Sequence, residues 1–249
     1  MSTKTFSLEY TMQTAENATV GVIIVAAGTA SRMQGTNKIL ANIGGQSVIK
    51  RTISAFDKNP KVKTIVVVTR NDMKAEIQNI VLRSEFSKVS HIIEGGNCRE
   101  ESVKKGFEKI KAEKVVKSVL VHDGARPLVK EDLINRVITA TEEFSAAIAA
   151  VPVKDTIKEV GKIGKVEKTI DRAKLVNIQT PQGFKTEVLD LAFKKAGDKI
   201  DIFTDDSSLV ENAGLDVYTV MGDYSNIKIT TPEDLAFASA LVSFKEGEI

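Results

Sequence analysis

The residues best suited to chemistry in this sequence fall in three short stretches that mix small, basic and acidic side chains. Ala26-Ala27-Gly28-Thr29-Ala30-Ser31-Arg32-Met33, with Lys38 shortly after, follows a β-branched apolar run. Small residues at the end of a first strand let backbone N–H groups approach phosphate oxygens closely, and Arg32 and Lys38 supply the positive charge a triphosphate requires. The pattern is neither G-x-x-x-x-G-K-[ST] nor G-x-G-x-x-G, so P-loop and dinucleotide-binding chemistry are disfavoured. Small residues in this place also serve packing alone. In Val121-His122-Asp123-Gly124-Ala125-Arg126-Pro127 an acid at a strand end precedes a small-residue turn. This is a place to hold Mg²⁺ (or another divalent cation) against phosphates, with Asp123 as the ligand and Arg126 gripping a second phosphate. The plainer reading has Asp123 capping a turn and Arg126 at the surface. The third stretch runs from Glu94 to Val103. Gly95-Gly96 permits close approach to a flat base, and Ser102 can donate or accept, although Gly-Gly is also a routine strand-to-helix connector.

These stretches need a frame that brings them to one rim. Short β-branched runs alternate with amphipathic segments, the signature of an α/β fold with a Rossmann-like, mostly parallel sheet flanked by helices. Expected strands are Val20–Ala26, Thr64–Thr69, Val89–Glu94, Ser118–His122, Ala146–Pro152 and Asp216–Met221. Helices are expected over Ser47–Phe56, Asp72–Arg83, Arg99–Ile110, Lys130–Phe144 and, opened by Pro232, Glu233–Phe244. In such sheets ligands sit off the carboxyl ends of the strands, where all three stretches fall. Lys154 to Val176 breaks the rhythm: it is polar and alternating, with turns at Gly161 and Gly164, and reads as a β-arm (about 154–178) standing off the sheet. Too poor in apolar residues to hold itself, it should lean on a second subunit. Thr180-Pro181-Gln182-Gly183-Phe184 is expected to close the arm and start a helix. Asn226-Ile227-Lys228 offers one more rim cation. The pair Asp205-Asp206 is expected to cap the helix near Ser207, with no catalytic role.

The remaining features bound the answer. A chain of 249 residues, 42% apolar and 27% charged, can bury a full core. Residues 1–19 read as a polar N-terminal extension without signal-peptide character, ahead of one domain over 20–249. The net charge of +2, with acids and bases interleaved, gives no nucleic-acid footprint. No apolar run reaches bilayer length, and the single cysteine, Cys98, points to a reducing, cytoplasmic setting. His91 and His122 lie on separate strands without zinc-ligand spacing. Cys98 lacks a partner histidine in sequence, which disfavours a thiol nucleophile.

Taken in order, Ala26-Ala27-Gly28, Val121-His122-Asp123-Gly124-Ala125-Arg126-Pro127, Thr180-Pro181-Gln182, Asn226-Ile227-Lys228-Ile229-Thr230 and Pro232-Glu233-Asp234-Leu235 resemble the 2-C-methyl-D-erythritol 4-phosphate cytidylyltransferases of the non-mevalonate isoprenoid pathway. The resemblance runs from about Val20 to the C-terminus. It implies a nucleotide-diphospho-sugar transferase-like fold, a homodimer joined through the arm, and transfer of CMP from CTP to a polyol phosphate. It implies that Ala26, Ala27, Gly28 and Ala30 wrap the CTP phosphates. Arg32 and Lys38 would stabilise the transition state, and Gly95, Gly96, Asn97 and Ser102 would read cytosine. Gly124 is grouped with the nucleotide-binding residues, and Asp123 would hold the metal and orient the acceptor. Acceptor contacts would come from Arg126, Thr156 and Lys228 of one subunit and from Arg172 and Thr180 of its partner, with Arg172 and Lys228 also counted as catalytic. The chain departs from the family pattern at Ala30, at Asn37 and Ile39, at Asn97, and in a Met33–Lys38 stretch one residue short. Those departures bear on loop conformation and base contacts.

Two anions must meet in such a reaction, so fixed cations aimed at the developing charge are the main device, and an ionised phosphate monoester needs no strong base. Rival readings are the same chemistry on ribitol 5-phosphate, a non-catalytic nucleotide-binding module, and, without its glycine fingerprint, a nicotinamide dehydrogenase.

Overall fold

A computed structural model gives the architecture, and it describes residues 18–28 and 37–246. Ala30, Arg32 and the extension up to residue 17 lie outside the described residues. In chain order the elements are β1 (Val20–Ala26), β2 (Asn42–Ile43), β3 (Gln46–Ser47), α1 (Val48–Asp57), β4 (Val62–Thr69), α2 (Asn71–Arg83), β5 (Val89–Glu94), α3 (Arg99–Lys111) and β6 (Ser118–Asp123). They continue with α4 (Glu131–Phe144), β7 (Ala146–Pro152), β8 (Ile157–Val160), β9 (Val166–Ile170), β10 (Val176–Lys185), α5 (Thr186–Ala196), α6 (Asp206–Asn212), β11 (Tyr218–Met221) and α7 (Pro232–Glu246).

A seven-stranded sheet in the order β11-β7-β10-β6-β1-β4-β5 forms the middle layer. Strands β1, β4 and β7 read as near-continuous Val/Ile/Ala runs because helices cover both faces there. Alternate residues part to the two sides. Val22 and Ile24 of β1 pack with Ile49, Ile53 and Phe56 of α1 and with Ile134 and Val137 of α4. Ile23, between them, joins Val103 and Phe107 of α3 and Leu189 and Phe193 of α5. A smaller cluster seats α7, through Ala238 and Val242, on Ile43, Val48 and Ile229.

Three expectations are corrected. Thr180–Phe184 starts no helix; it belongs to β10, which runs antiparallel between β6 and β7. Gln182, Gly183 and Phe184 pair with Val121, Leu120 and Val119, and the register with β7 skips between Ile178 and Gln182. Pro181 falls within that skip, where a missing N–H is tolerated. The arm is also shorter than expected. Its two-stranded sheet pairs Ile157 with Ile170, whereas Val176, Asn177 and Ile178 already pair with β7 in the main sheet. At the other end, Ala18 is buried and the Thr19 carbonyl accepts from the Lys117 N–H at 2.9 Å, so these two residues belong to the fold rather than to an extension. Among the described residues no helix is long and apolar enough to cross a membrane.

Candidate active site

The parallel strands β1 and β6 end side by side, with Val25 opposite Asp123, so their following loops open on one rim. A cavity of about 270 Å³ lies there, lined by Ala26, Ala27, Gly28, Lys38, Gly96, Asn97, Ser102 and Asp123 among others. The structure brings these residues from three separate stretches to one cavity. Close approach explains the glycines. A Cβ on Gly95 would come within 2.6 Å of Ala27 Cβ and 2.7 Å of Ser102 Oγ, so only glycine lets the two loops meet. The Ser102 hydroxyl is committed to this loop: it donates to the Cys98 carbonyl at 2.9 Å and accepts from the Gly96 N–H at 3.0 Å. Ser102 therefore shapes the wall as well as lining it. Gly95 does not line the cavity; its N–H goes to the Thr69 carbonyl and its own carbonyl accepts from Lys105 Nζ.

Asp123 is the electrostatic centre. Lys228 Nζ lies 3.1 Å and Arg126 Nε 3.3 Å from its Oδ2, and Arg99 Nε lies 3.6 Å from its Oδ1. Burial alone would raise this carboxyl, but Lys228, Arg99 and Arg126 overcome it and hold the group far below the usual carboxylate range. Asp123 is thus an anion near neutral pH. His122 is fully buried behind it, edge-on to Phe56 at 4.8 Å between ring centroids. Its Nε2 lies 3.1 Å from the Arg126 carbonyl, which can only accept, so Nε2 carries the proton. Nδ1 then accepts from the Thr180 hydroxyl at 3.0 Å, and that hydroxyl accepts from the Asp123 N–H at 3.0 Å. Burial pushes the imidazole down to about 4, so it stays neutral and orients Asp123 rather than carrying charge.

A second cavity, about 580 Å³, adjoins the first, and Arg99, Asp123 and Lys228 line both. Arg126, Thr180, Gln182, Thr204 and Asp205 also face it. The N-terminus of α6 is built tightly here. Asp205 caps it, accepting from the Ser208 N–H at 2.9 Å while the Ser208 hydroxyl bonds back. Gln182 of β10 donates to Asp205 at 2.8 Å, which ties the helix start to the sheet.

Several expectations change in detail. Gly124 lies behind the rim, not on it: its N–H goes to the Val25 carbonyl at 2.8 Å and its carbonyl to the Thr52 hydroxyl at 3.0 Å. Its smallness serves the β1–β6 contact, where a Cβ would sit 3.0 Å from Ala26 Cβ. Arg126 is nearly buried and moored, donating from Nη1 to the Asn226 carbonyl at 2.8 Å, so it is a wall of the second cavity rather than a free grip. Thr180 was expected to serve a partner subunit, yet β10 buries it beside the Asp123 of its own chain. Thr156 was expected at its own chain's rim, yet it lines neither cavity and lies exposed at the base of the arm. Arg172 is exposed on the arm, donating to the Lys154 carbonyl.

The sequence reading passed over Arg99, which lines both cavities, and gave its buried partner Asp206 only a capping role. Arg99, at the first turn of α3, bonds from Nη2 to Asp206 Oδ2 at 2.8 Å. Asp206, assigned a capping role from sequence, is fully enclosed; Asp205 is the cap. The available signal was an adjacent acid pair, of which only one member can occupy an N-cap.

Among the described residues no cluster of three or more His, Cys, Asp or Glu side chains exists to hold a metal alone. A single ionised carboxylate on a cavity rim fits a cation whose remaining ligands are phosphate oxygens and water, the usual manner of Mg²⁺.

Comparison with known proteins adds a sequence family. A family profile described as 2-C-methyl-D-erythritol 4-phosphate cytidylyltransferase matches residues 20–243. A protein of that name from Dehalococcoides mccartyi (strain CBDB1) is 42% identical over 226 residues, covering 91% of this chain and 97% of the relative. Its namesake from Geobacillus kaustophilus is 39% identical, covering 91% and 98%. The crystal structure of 4-diphosphocytidyl-2C-methyl-D-erythritol synthase from Anaerococcus prevotii superposes with a TM-score of 0.79 at 32% identity, covering 91% of this chain and 99% of that one. The Thermus thermophilus cytidylyltransferase structure gives 0.72 at 30% identity, covering 89% and 98%.

Proposed function

The chain belongs to the 2-C-methyl-D-erythritol 4-phosphate cytidylyltransferase family, and we infer from that membership that it transfers CMP from CTP to 2-C-methyl-D-erythritol 4-phosphate, forming 4-diphosphocytidyl-2-C-methyl-D-erythritol and pyrophosphate. The observation that carries this reading at the level of the site is the meeting of two cavities at Asp123, Arg99 and Lys228. A nucleotide in the first cavity and a polyol phosphate in the second would place their reacting phosphates at that boundary.

An oxygen of the acceptor phosphate attacks the α-phosphorus of CTP, forming the new P–O bond. The bond to the β-phosphate breaks, and its electron pair leaves with pyrophosphate. The acceptor phosphate is ionised near neutral pH, so no base need remove a proton. The chain's contribution is to bring two anions together and stabilise charge at the α-phosphate and the leaving group, which fixed cations do best in a site shielded from water. Lys38 faces the first cavity and Lys228 both; Lys38 and Arg32 together would neutralise the α-phosphate and the leaving group. Ala26, Ala27 and Gly28 would lie along the triphosphate, and Gly96, Asn97 and Ser102 against the base. Asp123 would hold Mg²⁺ (or a similar divalent ion), which would supply positive charge against that of the triphosphate. A pyrophosphate-release assay with CTP and a panel of polyol phosphates tests the reading. Turnover with ribitol 5-phosphate matching that with methylerythritol phosphate would remove the acceptor assignment, and full turnover in excess EDTA the metal.

The catalytic unit in this reading begins at Ala18 and works as a cytoplasmic homodimer. Supporting the dimer, Val160, Ile163 and Val166 of the arm are exposed apolar side chains without a core of their own. Arg172 and Thr156 would reach the second cavity of the partner.

A further inference from the structure

Arg99 is not among the residues that the family resemblance implicates, yet its guanidinium is held between two carboxylates, those of Asp123 and Asp206. Its side chain lines both cavities. One nitrogen is fixed to Asp206 at 2.8 Å, and Nε lies 3.6 Å from Asp123. The third, Nη1, is shut away from bulk water with no hydrogen-bond partner among the described residues. Burying a guanidinium against a fully enclosed carboxylate is expensive, and apolar side chains could moor two helix starts with less penalty. An unfilled buried N–H adds to the cost. Those costs make sense if the arrangement preserves one cation, in one orientation, for an anion that comes and goes.

We propose that Arg99 is a catalytic cation of this site, pinned by the positioning residue Asp206 so that its guanidinium meets the non-bridging oxygens of the transferring phosphoryl group where the two cavities join. The inference rests on the proposed cytidylyl transfer. Asp206 does not touch substrate. It holds the fork in register with Asp123 and balances a charge that would otherwise repel Lys228 and Arg126. Because the α-phosphoryl oxygens gain charge as the new bond forms, the contact strengthens along the reaction and belongs to the rate more than to ground-state affinity.

The test uses the full-length enzyme with CTP, Mg²⁺ and methylerythritol phosphate, measuring single-turnover rate, CTP dissociation constant by calorimetry and melting temperature. R99A should lower the rate about 10²–10³-fold, as loss of one preorganised donor does, while CTP affinity changes less than about threefold. Free guanidinium at low millimolar concentration should recover at least about tenfold of the R99A rate, which a purely structural arginine would not allow. D206N should lower the rate about tenfold or more with CTP affinity unchanged. If R99A does not fold, R99K carries the same readout: charge without the fork, and a rate down about tenfold at unchanged CTP affinity. R99A within about threefold of wild type overturns the proposal, as does a loss of rate that tracks melting temperature and CTP affinity without guanidinium rescue. A wild-type enzyme inert with these substrates would instead remove the functional reading beneath it.

Discussion

Lys38 and His122 both serve the Asp123 cleft, one at its surface and one behind it, and their variants should fail in different ways. Lys38 lines the first cavity and is proposed to stabilise transition-state charge. Lys38→Ala should therefore lower kcat about 10²–10³-fold, with a smaller change in CTP affinity; steady-state kinetics beside calorimetry separates the two, and a kcat within a few fold of wild type would leave Lys38 a wall residue. His122 acts through the fold. Its imidazole is held at about 4, below its ordinary 6.5, so the unfolded chain takes up the proton first. The neutral ring's contribution is complete above about pH 6.5 and is lost as pH falls toward about 4, amounting to about 2 kcal/mol by pH 5. Urea midpoints should drop over that interval in the wild type and drop less in His122→Asn. An equal slope in both would assign the acid sensitivity to another group. Asp123 works in the opposite chemical sense at one residue's distance: cations hold its pKa far down, so it stays charged across the whole interval.

The element that most determines the site is β10, and it was the least legible. Most of the sheet could be read directly. The β-branched run Val20–Ala26 and the all-apolar Ala146–Val151 announce strands buried on both faces, and their bounds match within a residue or so. Gln179 to Gly183 has polar side chains, a proline and a glycine, so neither alternation nor propensity marks it as the strand beside β6. Those polar groups have partners only the folded chain supplies: Thr180 bonds Asp123 and His122, and Gln182 bonds Asp205. Glycine at 183 is set by contact, since a Cβ would meet the Thr141 side chain and come within 2.9 Å of Leu120 Cδ2. Gly183→Ala should cost about 1–3 kcal/mol by overpacking between β10 and α4, readable as a lower chemical-denaturation midpoint with unchanged slope; an unaltered midpoint would mean that α4 yields freely. The same reasoning explains why Arg99 and Asp206 were overlooked. Their partnership spans a sequence separation of 107 residues, and nothing local in Arg99-Glu100-Glu101 or Thr204-Asp205-Asp206 reveals it. The rim loops, by contrast, were legible because each lies next to a strand end that could be located.

At the scale of the whole molecule, the arm poses a question that mixing can answer. If Arg172 completes the partner's acceptor pocket, R172A should impair use of methylerythritol phosphate while leaving CTP binding nearly intact. Combining inactive R172A with inactive K38A should then restore activity, because a heterodimer carries one site free of both changes. About half of a statistical mixture is heterodimer with one good site of two, so recovery should approach roughly a quarter of wild type. No recovery after verified subunit exchange, or monomeric elution at micromolar concentration, would return Arg172 to the role of an exposed charge. The topology also sets an order of events during synthesis. β6 joins β1 on one edge as soon as both have emerged, but its other edge is filled by β10, which arrives only after β7 and the arm. A growing chain that has reached β7 therefore carries two strands with unsatisfied backbone edges and an Asp123 N–H still lacking Thr180. Open edges of that kind recruit strands from other chains. Ribosome pausing between β7 and β10 would thus expose the molecule at its most adhesive and least functional stage, and the sheet is sealed from its middle only when Gln182–Lys185 slides into place.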